Sequence, residues 1–264
     1  MITTVINQFV YRPDATSSPA GLTPADLSLV YEEVDVTAAD GVRLSGWYLP
    51  ASQPRHALLY CHGNAGDIRD WVYAAPPFLD AGISLLIWDY RGYGSSQGKP
   101  SEEGLYLDGE AMWRWLRERS EKEGLPASIL GKSLGSAVAI HAALDQPPFR
   151  LILDSALASM REVVAGVATW IPKAAIPLMF ESLAKVPALT CPTLLLHGGR
   201  DSLVPLHHGQ RLYQAVNAPK QLHIIEPAEH NNISMYPEYY RQIEAFLEIQ
   251  SEATPQDRTD NASG

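Results

Sequence analysis

Six short runs of apolar, strand-forming residues limit what this chain of 264 residues can fold into. The runs are nearly continuous in apolar residues, which is typical of parallel strands covered on both faces, and longer segments with helical patterns separate them. Two earlier stretches, 30–36 and 41–50, alternate in polarity and predict an antiparallel pair at one edge. The chain therefore predicts an α/β fold with a mostly parallel central sheet and helices on both faces. The six runs are residues 56–61, 83–88, 128–130, 150–154, 192–198 and 221–226.

The segments outside these runs predict the helices and the extent of the domain. Ser101 precedes two glutamates, and a capping residue followed by acids is a helix start. An apolar stripe from Tyr239 to Leu247 predicts a final helix that packs on the core. Because one large α/β domain often has about 250 residues, we expect a single domain over 1–250, although the opening 30 residues have no assignable pattern. Residues 251–264 are polar and predict a disordered tail.

Composition argues against several classes of function. The net charge of −10 disfavours nucleic acid and anionic membranes as partners. The N-terminal segment lacks the positive charge of a secretory signal, and no apolar stretch approaches the roughly 20 residues that span a bilayer, so we expect a cytoplasmic protein without a stable membrane anchor. Cys61 and Cys191 lie in or beside predicted strands, which indicates free thiols. The pattern contains no cluster of cofactor or metal ligands, so we expect neither.

The stretch Gly-Lys-Ser-Leu-Gly at 131–135 fits two unrelated kinds of site. Gly-Lys-Ser ends a phosphate-binding P-loop, but that motif also needs a glycine at position 126, where this chain has proline. The alternative is the G-x-S-x-G turn of a serine nucleophile, in which a strained serine between a strand and a helix needs small neighbours two residues away. A predicted strand precedes the motif and a helical pattern follows it. The motif therefore predicts that Ser133 is an exposed nucleophile.

A serine nucleophile needs a base, and the base needs a group that orients it. After a nucleophile turn of this type, the acid comes next along the chain and the histidine follows. Asp201 follows the fifth apolar run and His230 follows the sixth, which places both at the same sheet edge as Ser133. The other histidines lie inside predicted strands or helices, or before the acid. We therefore predict a catalytic triad of Ser133, Asp201 and His230, with Asp154 as the reserve acid.

An oxyanion formed at this serine needs two N–H donors. The first is the backbone N–H of Leu134, directly after the nucleophile. The second is predicted in "CHGNAGD", where Gly63 and Gly66 let the chain turn so that the N–H of Asn64, or of Ala65, points at the site. The histidine of this motif is expected to brace the loop. The glycine-rich "DYRGYGSSQG" lacks the spacing of a dinucleotide fingerprint and is predicted to be a structural turn beside the site.

These motifs resemble the α/β-hydrolase superfamily from about Tyr31 to Gln250. The resemblance is to the branch with "HGNAG", "DYRGYG", G-x-S-x-G, "GGRDSLVP" and a terminal "HN", which includes membrane-associated serine hydrolases of acyl thioesters and lipids. It implies a hydrolase of small-molecule esters or thioesters that works through an acyl-enzyme. The sequence has no cysteine cluster like that of this branch, and we expect no N-terminal membrane anchor. It also has an unusual lysine, Lys132, beside the nucleophile, which we expect to be solvated; the alternative is that its charge biases the pocket towards an acidic substrate.

The segment 155–189 lies between the fourth and fifth runs, where α/β-hydrolases insert a lid. It is rich in apolar residues and is interrupted by Pro172 and Pro177, which predicts two short helices. We expect this short lid to cover an acyl pocket that suits short to medium chains. Ordinary packing on the core is the alternative for the same segment. The residues predicted to line the pocket are Trp170, Ile176, Met179 and Phe180.

Three other functions remain compatible with these motifs. A serine aminopeptidase would use the same triad, but it needs an acidic site for the amino group of its substrate, and nothing in the sequence locates one. An acyltransferase would differ only in excluding water from the acyl-enzyme. A binding module that has lost catalysis would not need a complete triad. The sequence does not indicate the oligomeric state.

Overall fold

One eight-stranded sheet forms the centre of the fold in the described residues, 2–15 and 21–248, of the computed structural model. All six apolar runs predicted as strands are strands, and their bounds agree to within two residues. The strands are β1 Glu32–Thr37, β2 Arg43–Leu49, β3 His56–Cys61, β4 Ile83–Trp88, β5 Ala127–Lys132, β6 Leu151–Asp154, β7 Thr193–Gly198 and β8 Lys220–Ile225.

The sheet is mostly parallel, as the continuous apolar runs predict. Its strand order is β1-β2-β4-β3-β5-β6-β7-β8. The six strands from β3 to β8 pair in parallel, whereas β2 is antiparallel to both β1 and β4. The predicted antiparallel pair therefore lies at one edge of the sheet.

Helices cover both faces of the sheet, which confirms the predicted layering. One apolar core joins the sheet to α1, α4, α5, α6 and α8, and a second core on the opposite face joins it to α2, α3 and α9. Short 3₁₀ helices cover residues 25–27, 72–74, 173–175, 186–188 and 233–235. The helices are α1 Ile2–Val10, α2 Ile68–Trp71, α3 Ala75–Asp80, α4 Glu102–Glu123, α5 Leu134–Asp145, α6 Met160–Val167, α7 Ser182–Lys185, α8 His207–Ala215 and α9 Pro237–Phe246.

The predicted helix boundaries have clear local causes. The Ser101 hydroxyl accepts the Gly104 N–H at 3.1 Å and caps the start of α4. This helix ends at Gly124, whose φ of +68° lies in the left-handed region that favours glycine. At the end of the chain, α9 buries Tyr239 and Ile243 against the second core, as its apolar stripe predicts.

Between β6 and β7 the chain forms the two predicted short helices. The α6 helix precedes the two prolines and α7 follows them, while α6 also packs against the N-terminal helix α1. Both cysteines are free and buried, as expected. No helix in the described part of the chain is long and apolar enough to cross a membrane. The predicted disordered tail, 251–264, lies outside the described residues.

The parallel strands place polar side chains at one edge of the sheet. Their carboxyl ends all point the same way, so the loops after neighbouring strands meet there. His62 follows β3, Ser133 follows β5, and Asp154 ends β6. Asp201 follows β7 and His230 follows β8. This edge is where a site can form.

Candidate active site

Ser133 occupies a strained turn between β5 and α5. Its φ of 52° and ψ of −116° are unusual for a residue with a side chain, and such strain concentrates at functional sites. The backbone N–H of Ser133 donates to the Asp154 carbonyl at 2.9 Å, which holds the turn. A Cβ at Gly135 would overlap the carbonyl oxygen of Cys61, and one at Gly131 would lie 2.6 Å from the Ala139 side chain. Both glycines are therefore needed because the start of α5 passes so close to the strands.

Ser133, His230 and Asp201 form one continuous chain of hydrogen bonds. His230 Nε2 lies 3.0 Å from Ser133 Oγ, and His230 Nδ1 lies 2.7 Å from Asp201 Oδ2. An ionised carboxylate can only accept, so Nδ1 carries the proton and Nε2 is free to accept from the serine hydroxyl. All three residues are buried to more than nine-tenths. The structure thus brings together the three residues that the sequence predicts as a triad.

The Asp201 carboxylate is held in place by its own loop. Its Oδ1 accepts the backbone N–H groups of Leu203 at 3.0 Å and Val204 at 2.8 Å. Burial alone would raise the pKa of Asp201, but the hydrogen bond from His230 and the N–H donors of the loop hold this pKa below its usual value. The His197 side chain, 3.6 Å from Oδ2, donates to the Val204 carbonyl at 2.8 Å. Asp201 is therefore positioned as an ionised acceptor.

Lys132 is buried, so the expectation that it is solvated is wrong. Its Nζ donates to Asp154 Oδ2 at 3.1 Å and to the backbone carbonyl of His230 at 3.1 Å. The two ionic side chains are cross-strand neighbours of β5 and β6, and each compensates the charge of the other. Asp154 also accepts from the hydroxyls of Tyr239 at 3.1 Å and Ser155 at 2.9 Å. Asp154, the reserve acid, is thus paired with Lys132, and it is Asp201 that accepts the hydrogen bond from His230 Nδ1.

The two predicted oxyanion donors lie beside the serine. Asn64 and Leu134 both line the cavity that contains Ser133. Within the described residues, neither backbone N–H donates to a protein acceptor. The Asn64 loop is held from its other side, because its carbonyl accepts the N–H of Arg12 at 3.0 Å and its side chain donates to the Phe9 carbonyl at 3.1 Å. Both N–H groups are therefore available to a ligand.

The "DYRGYG" loop supports the "HGNAG" loop, which agrees with its predicted structural role. The Tyr90 hydroxyl donates to the His62 carbonyl at 2.7 Å, and the Tyr93 hydroxyl donates to the Asn64 carbonyl at 3.0 Å. His62 Nδ1 lies 2.7 Å from the carbonyl oxygen of Gly63, which is the expected bracing contact. Burial lowers the pKa of His62 to about 4, so this ring is neutral and structural.

A cavity of about 420 Å³ opens beside Ser133. Much of its apolar wall comes from α6, where Met160, Val163, Val164 and Val167 recur at the spacing of one helical face. Most of the remaining lining residues are apolar as well. The other lining residues are Gln8, Phe9, Arg12, Asn64, Leu134, Leu157, Leu203 and Val204.

None of the four residues predicted to line the acyl pocket lies among the residues around this cavity. Trp170 is 69% exposed. The α6 helix ends at Val167, so Trp170 does not share a helical face with the valines of α6. Ile176 and Phe180 are buried in the core, and Met179 packs against the same core. The backbone N–H of Phe180 donates to Glu102, which ties this stretch to the start of α4. These four positions are core packing or surface.

Part of the cavity wall comes from residues that the sequence analysis did not identify. Gln8, Phe9 and Arg12 belong to the opening segment, to which no structure was assigned. The available signal was Ile6 and Val10, one helical turn apart, which are both buried in α1. That spacing predicts an amphipathic helix, but it contains no information about where the helix packs.

A second cluster contains possible metal ligands, contrary to the expectation that no such cluster exists. Ligand atoms of Glu162, His207 and His208 lie within 4.8 Å of one another. Glu162 lies in α6 and His207 in α8, about 45 positions apart in the chain. The sequence pattern therefore did not indicate that they are neighbours. Arg211 already pairs with Glu162 at 2.5 Å, and His208 Nδ1 accepts the Ala158 N–H at 3.1 Å. These two contacts reduce what the cluster can offer to a cation.

Comparison with known proteins relates this geometry to a family. The profile of the serine aminopeptidase S33 family, Hydrolase_4, matches residues 52–185. An uncharacterized protein of Mycobacterium tuberculosis is 35% identical over 232 residues, which cover 85% of this chain and 80% of that protein. Alpha/beta hydrolase domain-containing protein 17B of Xenopus laevis is 30% identical over 200 residues, which cover 73% of this chain and 66% of that protein. The chain belongs to the α/β-hydrolase superfamily.

Solved structures support the same fold for this α/β-hydrolase. An esterase of Pyrococcus furiosus, Pf2001, matches with a TM-score of 0.76 at 24% identity, covering 90% of this chain and 97% of that chain. At this identity the match shows the fold alone. The family membership and the fold together identify this protein as a hydrolase.

Proposed function

We propose that this α/β-hydrolase is a serine esterase or thioesterase that cleaves short to medium acyl chains through an acyl-enzyme. The observation that carries the proposal is the unbroken relay from Ser133 Oγ through His230 to Asp201, at 3.0 Å and 2.7 Å. A serine hydroxyl is a weak nucleophile unless a base takes its proton, and this relay supplies the base.

Each residue of the relay has a distinct role in the proposed reaction. Ser133 Oγ attacks the acyl carbonyl while His230 Nε2 takes its proton and then returns it to the leaving alcohol or thiol. Asp201 stays ionised, keeps the proton on Nδ1 and stabilises the imidazolium. The N–H groups of Asn64 and Leu134 bind the oxyanion. Water then enters and attacks the acyl carbon while His230 takes one of its protons. The bond between Ser133 Oγ and the acyl carbon breaks, His230 returns the proton to Oγ, and the acid is released.

The cavity supports an acyl substrate of limited length. Its wall beside Ser133 is mostly apolar and its volume is about 420 Å³. Each buried methylene stabilises the bound chain by about 0.8 kcal/mol, so each should raise kcat/KM by roughly fourfold until the cavity is full. A 4-nitrophenyl ester series from acetate to palmitate should therefore rise and then level off. The Val167→Ala variant should flatten the rise, because it removes apolar surface from the wall.

Labelling with a fluorophosphonate tests the nucleophile directly. The wild type should be labelled at Ser133 and should hydrolyse 4-nitrophenyl butanoate, whereas Ser133→Ala should do neither while staying folded. Ser202→Ala is the matched control, because Ser202 is exposed on the neighbouring acid loop and should not affect labelling. Labelling that persists in Ser133→Ala would contradict the proposal, and a folded wild type that is never labelled would favour a binding module.

The family description names a serine aminopeptidase, which is the second candidate. That activity needs an acidic group to bind the amino group of the substrate. The residues described around the cavity include no aspartate or glutamate. We therefore expect aminoacyl 4-nitroanilides to react more slowly than 4-nitrophenyl esters, after correction for their uncatalysed rates. The opposite ranking would favour the aminopeptidase.

A further inference from the structure

The charged side chains described in the wall of the cavity beside Ser133 are all positive. Among the described residues that line it, Arg12 alone has a charged side chain. The remaining wall is apolar apart from Gln8, Asn64 and the serine itself. The local positive charge of Arg12 is therefore opposite in sign to the net charge of the whole chain, which is −10.

The backbone of Arg12 is fixed against the loop that holds a predicted oxyanion donor. Its N–H lies 3.0 Å from the Asn64 carbonyl and 3.2 Å from the Tyr93 hydroxyl. Its carbonyl accepts the N–H of Gly66 at 3.1 Å. These contacts bracket Ala65, the residue directly after Asn64. The position of Arg12 relative to the reacting carbonyl is therefore set by the same loop that would bind the oxyanion.

The guanidinium of Arg12 has no carboxylate within 4.0 Å among the residues that the structure describes. By contrast, Arg91 and Arg211 both make close ion pairs. An arginine side chain stays charged and presents a planar fork that matches a carboxylate or a phosphate. The Arg12 side chain is exposed, so water solvates it when the cavity is empty. An arginine that lines a mostly apolar cavity and has no carboxylate partner among the described residues is available to bind an anion there.

We propose that the substrates of this α/β-hydrolase are anionic acyl esters or thioesters, and that Arg12 binds their carboxylate or phosphate. The acyl chain then packs on the apolar face of α6 that includes Val163 and Val167. The proposal rests on the proposed esterase function and adds the charge of the substrate. Arg12 acts here as a specificity-determining residue.

Matched pairs of substrates test this proposal and locate the anion. One arm compares mono-4-nitrophenyl glutarate with 4-nitrophenyl pentanoate, which places a carboxylate on the acyl chain. The other compares 4-(butanoyloxy)phenyl phosphate with phenyl butanoate, which places a phosphate on the leaving group. The measured quantity is the ratio of kcat/KM for the anionic ester to that for its neutral partner.

In at least one arm, Arg12→Gln should lower this ratio about tenfold, because charge-assisted hydrogen bonds are roughly twice as strong as neutral ones. Arg12→Lys should lower it less, since it keeps the charge and loses the fork. Arg241→Gln is the matched control. It removes one exposed positive charge from α9, outside the cavity, and should leave the ratio unchanged. Ratios that Arg12→Gln leaves unchanged in both arms would overturn the proposal while the esterase function stands.

Binding without turnover separates the two proposals. Calorimetry on Ser133→Ala should show that at least one of mono-4-nitrophenyl glutarate and 4-(butanoyloxy)phenyl phosphate binds about tenfold more weakly when Arg12→Gln is added, for the same charge-assisted contact. If that loss occurs although the wild type hydrolyses no ester, the anion site stands and the esterase function fails. Equal affinities of the two variants for both anionic esters refute the anion site.

Discussion

Replacing Lys132 by methionine tests the buried ion pair between Lys132 and Asp154 beside the proposed triad. The Lys132 side chain is 5% exposed, and its Nζ bridges Asp154 Oδ2 and the His230 carbonyl, each at 3.1 Å. Methionine keeps the apolar stem and removes the charge. Breaking a buried pair costs about 3–5 kcal/mol, because the remaining partner stays charged without compensation. The Tyr239 and Ser155 hydroxyls still donate to Asp154, so we expect the lower end of this range.

The loss should appear in both stability and activity. At about 2–4 °C per kcal/mol for a protein of this size, a cost of about 3 kcal/mol lowers Tm by roughly 6–12 °C. The His230 backbone also loses a hydrogen-bond donor, which loosens the loop that presents the imidazole. A misplacement on the order of 1 Å can cost about 100-fold in rate, so kcat for 4-nitrophenyl butanoate should fall by up to that factor.

Urea unfolding and steady-state kinetics check these effects, with two further variants as controls. Adding Asp154→Asn to Lys132→Met removes the uncompensated charge and should recover at least about half of the lost stability. Arg117→Met removes an exposed ion pair with Glu121 and should cost no more than about 1 kcal/mol. The argument is refuted if Lys132→Met costs less than about 1 kcal/mol or if Asp154→Asn adds to its cost.

Three further predictions follow from particular contacts. Asp201→Asn should lower kcat by about 10⁴ with little change in unfolding, because an amide no longer holds the proton on the imidazole Nδ1; a loss under tenfold would contradict this role. Gly135→Ala should fail to fold or should melt far lower, because its Cβ would lie 2.5 Å from the His62 carbonyl, whereas the control Gly166→Ala meets nothing within 4 Å. Burial lowers the pKa of His56 and of two other histidines to about 4 and raises the pKa of one aspartate to about 7. For these four groups, the unfolded chain binds about 1.5 more protons than the native state at about pH 4.5–6, so their contribution to the free energy of unfolding should drop by about 2 kcal/mol per unit as pH falls. Urea titrations should show about half that slope for His56→Gln, and an unchanged slope would contradict the assignment.

The sequence was sufficient to predict the sheet and the common edge at which Ser133, Asp201 and His230 lie. Continuous apolar runs report strands buried on both faces, and this signal is local to each run. The carboxyl ends of parallel strands meet at one edge, so the positions of Ser133, Asp201 and His230 directly after three such runs predict that they lie together. Their mutual distances agree with that prediction.

The cavity and the buried lysine could not be predicted in this way. Helical periodicity shows which face of α6 is apolar, but it does not show where the helix ends or which element packs against it. Trp170 was therefore predicted to line the cavity, whereas part of the cavity wall comes from Phe9 and Arg12, near the N-terminus. Lys132 is polar and was expected in solvent, yet the register of β5 and β6 places it beside Asp154. Local pattern determines which surfaces are apolar, whereas contacts between distant segments depend on how the elements pack, and only the tertiary structure contains that information.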